Sequence, residues 1–265
     1  MNNHDDYIIE VKTVQTNAFK TLCEALKEIL TDTNLIFSDD GIKIIAMDPS
    51  HTILVHLKLD HTSFEEYYCS EKTVVGVSML NFFKLIKTMT NNDTLTLFIE
   101  KSDVNKLGIR IENGEKNSMT NYKLNLMDLN EEQISIPPAA FESIITLPSS
   151  DFQKICRDMS NLSDTIEIKS VGSNLIFSCS GNFASQETII GQTSSGLAFV
   201  KNADNTDIIQ GYYNLKHLVL FTKCTNLCNQ IEMYMKNNFP IVIKFSVGSL
   251  GSLKLALAPQ CSDNN

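Results

Sequence analysis

The chain has 265 residues, 43% of them hydrophobic and 20% charged, and its 22 Lys and Arg against 31 Asp and Glu give a formal net charge of −9. That length suits one large domain or two of about 100–150 residues. No apolar run reaches the roughly 20 residues a membrane span needs, and the polar, acidic start Met1-Asn2-Asn3-His4-Asp5-Asp6 is unlike a secretory signal, so an intracellular chain with no membrane partner is expected.

Tyr7 to Val14 alternates as a strand does, and Asn17 is placed to cap a helix from Ala18 to Leu30, whose apolar residues 19, 22, 23, 26, 29 and 30 recur at helical spacing. Asn34 to Phe37 and Ile42 to Met47 read as strands joined at Asp39-Asp40-Gly41, a hairpin signal. Thr52 to Leu59 alternates again, Glu65-Glu66 falls in a polar loop, Met79 to Met89 forms a second short helix, and Leu95 to Ile99 and Leu107 to Ile111 are strands. A polar stretch from Asn125 to Pro138 follows, with three acids and a Pro-Pro pair that disfavour a helix or central strand. It reads as an extended connector, with Ile134 and Ile136 on one face.

The same order then returns. Ser143 to Leu147 is a strand, and Pro148-Ser149-Ser150-Asp151 opens a helix to about Leu162, capped by Ser149 or Ser150. Strands follow at Thr165 to Lys169 and Asn174 to Ser180, then a helix over Asn214 to Lys223, then strands at Ile231 to Met235, Ile241 to Val247 and Leu253 to Ala258. This is a duplicated α+β domain, with boundaries at residues 1–124, a connector at 125–140, and 141–265.

Seven scattered cysteines, never spaced Cys-x-x-Cys, read as reduced core residues and not as a metal site. The five histidines show no ligand spacing, and nucleophile-elbow, Walker and dinucleotide-binding motifs are absent. No catalytic residue, metal or cofactor is expected.

The net charge argues against nucleic acid only as a sum, since binding depends on where charges sit. Each expected helix carries two basic residues: Lys20 and Lys27, Lys84 and Lys87, Lys154 and Arg157, Lys216 and Lys223. Spacings of three or seven put each pair on one helical face, opposite an apolar stripe. The four helices hold 8 of the 22 basic residues and only 4 of the 31 acids. Without Arg- and Asn-rich base-reading helices or interleaved aromatics, the pattern fits phosphate contact on duplex DNA without sequence readout.

Met47-Asp48-Pro49-Ser50-His51, the run Tyr122 to Leu129, Ile155-Cys156-Arg157-Asp158 and Leu257-Ala258-Pro259 resemble, in order along nearly the whole chain, the proliferating cell nuclear antigen sliding clamps. The resemblance implies a clamp fold of two similar domains, each with two helices packed on antiparallel sheets, closing into a ring of three subunits around double-stranded DNA. The eight basic residues match positions that are Lys or Arg on the inner wall of that ring. A hydrophobic pocket under the connector, matched by Met47, His51, Ile134, Ile136, Phe141, Pro240, Ala258 and Pro259, is expected to take a short helical peptide from a polymerase or another replication or repair protein. A family tyrosine is replaced by Ala256 and a small apolar residue by Thr52, so the pocket is expected to be reshaped. Subunits are expected to join through edge strands near Ser118–Leu124 and Ala184–Gly191. A clamp loader, and work in the nucleus or at a viral replication site, are implied too. The alternative is a clamp-like subunit that is not a homotrimer, either a heterotrimer member or a monomeric processivity factor.

Overall fold

The computed structural model describes residues 4–130, 134–201 and 207–260. The chain divides into two compact units, one of Met1–Pro49, Val55–Ile134 and Ser246–Leu253, the other of Ser50–Leu54, Ser135–Phe245 and Lys254–Asn265.

In the first unit the chain runs β1 (Tyr7–Thr13), α1 (Thr16–Ile29), β2 (Asp32–Ser38), β3 (Gly41–Met47), β4 (Ile53–Asp60), β5 (Glu66–Cys69), β6 (Thr73–Ser78), α2 (Met79–Ile86), β7 (Asp93–Glu100), β8 (Lys106–Asn113) and β9 (Ser118–Asn125). One sheet has the order β5-β1-β7-β8-β9, and β4-β3-β2-β6 forms a second run. Strand alternation sends Ile9 and Val11 of β1, Leu35 and Phe37 of β2, and Val75 and Val77 of β6 inward. Phe19, Leu22, Cys23, Leu26 and Ile29 of α1 and Phe82 and Ile86 of α2 are buried with them. Fully burying such side chains supplies about 1.5–3 kcal/mol each.

Helix α1 starts earlier than its sequence signal. Asn17 lies inside it, the N-cap is Gln15, and no side chain caps the helix. Gln15 is engaged elsewhere: its Oε1 accepts from the Ser249 N–H at 3.1 Å and its Nε2 donates to the Ser63 carbonyl at 3.4 Å. The adjoining Leu250 is fully buried, and its carbonyl accepts from the Asp60 N–H at 2.9 Å. Of Glu65-Glu66 only Glu65 lies in the expected loop, where it is exposed. Glu66 opens β5 opposite Lys12, 3.4 Å from its ammonium, and Glu65 accepts from the Val14 N–H at 2.9 Å.

Past α2 the chain turns into β7 around a buried carboxylate. Asp93 accepts from the Thr90 N–H at 2.7 Å and from Asn113 Nδ2 at 2.6 Å, while Asn113 Oδ1 accepts from the Lys116 N–H at 2.9 Å. Burial pushes the Asp93 carboxyl up, but these hydrogen bonds outweigh it and hold the pKa below the usual value. A carboxylate depressed on folding stabilises fully above its unfolded pKa of about 3.9 and loses that contribution as pH falls through the folded value. Asp93→Asn, which keeps the shape and removes the charge, is expected to lower stability by about 1–3 kcal/mol at pH 7 and to leave unfolding less sensitive to acid, as denaturant titrations at pH 7 and pH 3 will show.

The second unit repeats the element order: β10 (Ser143–Pro148), α3 (Ser149–Ser160), β11 (Thr165–Val171), β12 (Asn174–Ser180), β13 (Ser185–Gly191), β14 (Ala198–Lys201), β15 (Ile208–Asn214), α4 (Leu215–Phe221), β16 (Gln230–Met235), β17 (Ile241–Val247) and β18 (Gly251–Leu257). Its strands run β14-β10-β16-β17-β18 and β13-β12-β11-β15, the arrangement of the first unit shifted by nine strands. The duplication read from the sequence is therefore a duplication of topology, and the fold is α+β.

Two helix ends differ from expectation. Ser149 is the first residue of α3 and caps nothing; its hydroxyl donates to the Cys228 carbonyl, with the Thr225 carbonyl 3.4 Å away. Helix α4, capped by Asn214 accepting from the Lys216 N–H, gives way after Phe221 to a 3-10 helix over Thr222–Leu227. There the Thr222 and Thr225 hydroxyls donate to the carbonyls of Val219 and Thr222, local bonds of the kind that compete with a regular helix.

Cys23, Cys156 and Cys224 are buried, and burial pushes their thiols up, so they fill core space in the protonated form. Cys69 and Cys228 are half-buried, and Cys261 lies outside the described residues. No helix among the described residues is long and apolar enough to cross a membrane.

Candidate nucleic-acid interface and partner site

In the first unit α1 packs beside α2, with the Phe19 and Phe82 rings edge to face at 6.2 Å. Lys84 is exposed on α2, 3.4 Å from Asn81 Oδ1, and Lys87 is exposed at the residue that closes the helix. In the second unit α3 packs against α4 and the 3-10 helix, where Gln153 Nε2 donates to the Thr222 carbonyl at 3.1 Å. Lys154 and Arg157 on α3, Lys216 on α4 and Lys223 on the 3-10 helix are all exposed. Both units thus carry a helix layer with cations on its outer face.

Lys20 and Lys27 depart from the expected basic stripe. Both are half-buried. The Lys20 ammonium donates to the Met89 carbonyl at 2.6 Å, satisfying an acceptor just beyond the end of α2. Lys27 pairs with Glu28 and lies over the Phe83 ring, 5.1 Å from its centre. These two lysines brace α1 against α2, so the exposed cation set has six members.

The ion pairs fall mostly on the sheets and turns. Among the described residues there are ten ion pairs, and nine involve no residue of α1–α4: the sheets and turns match Lys12 with Glu66, Lys43 with Asp40, Lys106 and Lys123 with Asp103, Lys169 with Glu167 and Lys244 with Glu232. The exception is Lys27. Among the described residues Lys84, Lys87, Lys154, Arg157, Lys216 and Lys223 make no ion pair, and off the helices neither do Lys58, Lys72, Lys101, Arg110, Lys116, Lys201, Lys236 and Lys254; what sets the helices apart is how few carboxylates they carry. Cations kept unpaired in this way retain their full attraction for an external anion.

The residues expected to bind a partner peptide are distributed over both units, Met47 and Ile134 in the first and His51, Ile136, Phe141, Pro240, Ala258 and Pro259 in the second. Ile136 is 41% exposed, His51 and Ala258 are exposed, and the other five are half-buried. His51 holds a left-handed backbone, φ 54°. In the second unit Phe141 meets two aromatic residues that the sequence did not single out, Tyr234 at 5.3 Å and Phe239 at 5.7 Å, both edge to face. Lys236 lies 5.7 Å from the centre of the Phe239 ring, and Lys201 donates to the Phe141 carbonyl. Tyr234 donates to Glu232; burial and that carboxylate push its phenol up, so it stays a neutral donor. Alternation along β16 signals only a strand. That Tyr234 projects beside Phe141 follows from the register Ile144↔Tyr234, which no local pattern reveals.

Strands β9 and β13 end their sheets. Met119 on β9 and Ile189 on β13 are 60% and 58% exposed, and Phe183 in the turn before β13 is 79% exposed. Among the described residues no cluster of three His, Cys, Asp or Glu could hold a metal ion.

Residues 8–133 match the family model of the proliferating cell nuclear antigen N-terminal domain, and residues 135–260 match that of its C-terminal domain. The chain is 38% identical over 259 residues to the probable DNA polymerase sliding clamp 1 of Paramecium bursaria Chlorella virus 1, an alignment spanning 96% of this chain and 98% of that protein. The crystal structure of proliferating cellular nuclear antigen from Entamoeba histolytica matches with a TM-score of 0.88 at 27% identity, over 96% of this chain and 99% of the other. With both domain models matched in order and end to end, the chain belongs to the proliferating cell nuclear antigen family of sliding clamps.

Proposed function

We propose that this chain is the subunit of a DNA sliding clamp, a polymerase processivity factor that surrounds duplex DNA and tethers replication and repair proteins to it. The observation that carries the reading is the partition of charge. The helix layers hold 8 of the 22 basic residues and only 4 of the 31 acids, and Lys84, Lys87, Lys154, Arg157, Lys216 and Lys223 stand exposed on them. Point charges facing phosphates bind any sequence and hold loosely enough to slide. Lys20 and Lys27 belong to the same wall in a supporting role, fixing the helices that carry the others. The protein acts as a non-catalytic scaffold.

The ring forms from three copies, β9 of one pairing with β13 of the next. Two free edges on one chain make a head-to-tail contact, which closes into a ring when the rotation allows. Polymerases and other replication or repair enzymes dock by a short helical peptide in the pocket of Met47, His51, Ile134, Ile136, Phe141, Pro240, Ala258 and Pro259. A loader places the ring on DNA where DNA is copied, in a nucleus or at a viral replication site. Light scattering on the eluted protein is expected to give about three times the chain mass of 29.7 kDa, and the protein is expected to stay on closed circular DNA and run off a linear one. A monomer at every concentration, with no retention on the circle, overturns the ring.

A further inference from the structure

The connector leaves the first unit along the edge of β6, at a contact built around a missing side chain. The Met127 N–H donates to the Gly76 carbonyl at 2.9 Å in a one-residue antiparallel bridge. A Cβ on Gly76 would fall 2.2 Å from the Met127 carbonyl oxygen and 3.1 Å from the Leu129 side chain. The φ of Gly76 is not positive, so glycine is required for space and not for backbone freedom. Two further bonds hold the same stretch: the Leu126 N–H donates to the Asn105 carbonyl at 3.0 Å, and Asn34, paired with Gly76 across β2 and β6, donates from Nδ2 to the Leu129 carbonyl at 3.2 Å.

One bridge is too little to make the connector a strand, yet three bonds over four residues are enough to fix where it starts. Because Ile134 and Ile136 follow a few residues later in the chain, fixing the start of the connector limits how far from it they can lie. We infer that Gly76 and Asn34 are positioning residues for the partner site. They pin the connector to the edge of β6 so that its apolar residues are already placed when a helical peptide with apolar anchors arrives. Holding a binding segment in place beforehand removes part of the ordering loss that binding would otherwise incur. The inference rests on the clamp reading and its connector pocket, and it assigns to that pocket two residues that lie outside it and touch no partner.

The test uses the full chain and a fluorescein-labelled peptide of one helical turn bearing aliphatic and aromatic anchors. Gly76→Ala is expected to raise hydrogen exchange at the Met127 amide and to weaken peptide binding about tenfold, and Asn34→Ala, which removes one bond without a clash, about threefold. Assembly mass and the salt dependence of DNA binding are expected to match the parent protein in both, which a general loss of structure would not allow. Should Gly76→Ala fail to fold, Asn34→Ala decides alone. Faster Met127 exchange with unchanged peptide affinity overturns the positioning role while leaving the pocket intact. A parent protein that ignores the peptide overturns the partner reading and this inference with it.

Discussion

Replacing Lys84, Lys87, Lys216 and Lys223 together with Ala is expected to weaken retention on DNA steeply and to flatten its dependence on salt. Every lysine–phosphate interaction removed reduces the slope of log K against log salt by about 0.9, equivalent to roughly tenfold in affinity near 0.1 M salt. The four side chains are exposed and make no ion pair among the described residues, so their removal leaves no buried carboxylate unpaired, and folding stability is expected to change little. Titrating duplex binding across a salt series separates the two effects. A slope equal to that of the parent protein would refute the phosphate-contact role, whatever happens to affinity at one salt concentration. Lys20→Ala is a different kind of change, because its ammonium holds the Met89 carbonyl; its effect belongs partly to helix packing.

The second large effect lies under those cations. Phe82 of α2 and Phe152 of α3 are each 1% exposed. They anchor the two helix layers, and Phe82 also meets Phe19 edge to face. Truncating a buried Phe to Ala removes its transfer energy and leaves a cavity that the close-packed interior fills poorly, at about 3–5 kcal/mol. Phe82→Ala and Phe152→Ala are each expected to cost that much in denaturant titrations. Leu80→Ala, on the face of α2 opposite Phe82 and 50% exposed, is expected to fall within about 0.5 kcal/mol of the parent. Equal losses at Phe82 and Leu80 would mean that α2 does not bury the face assigned to it.

Much of this architecture is legible in the amino acids, and what is not has identifiable causes. The helices declare themselves through apolar spacing, and β12 and β17 occupy the residues that alternation marks, because one face of each is buried and the other wet. β5 is hidden because all four of its residues are half-buried, which erases the alternation; what places it is Glu66 opposite Lys12, a tertiary pairing. β15 is hidden by Gly211. A Cβ there would sit 2.3 Å from the Tyr213 hydroxyl, so the strand breaks its own pattern to make room for a buried ring. The basic polarity of the helices is visible in spacing alone. That Lys20 and Lys27 turn inward is not, because it depends on Met89, Glu28 and Phe83 being where the folded chain puts them. Phe239 and Tyr234 escape notice for the same reason: they reach Phe141 from a strand and a turn distant in sequence.

The turn around Leu250 has a bearing on how the molecule comes to exist. Gln15 and Ser249, bonded across 234 positions, belong to the same compact body, as do Asp60 and Leu250. A nascent polypeptide therefore cannot complete this body until residues 246–253 have left the ribosome, and contacts so remote in sequence form late. Until then Gln15 lacks the Ser249 amide that it holds in the finished fold, and the place of that turn stays open to chaperones or to other unfinished copies.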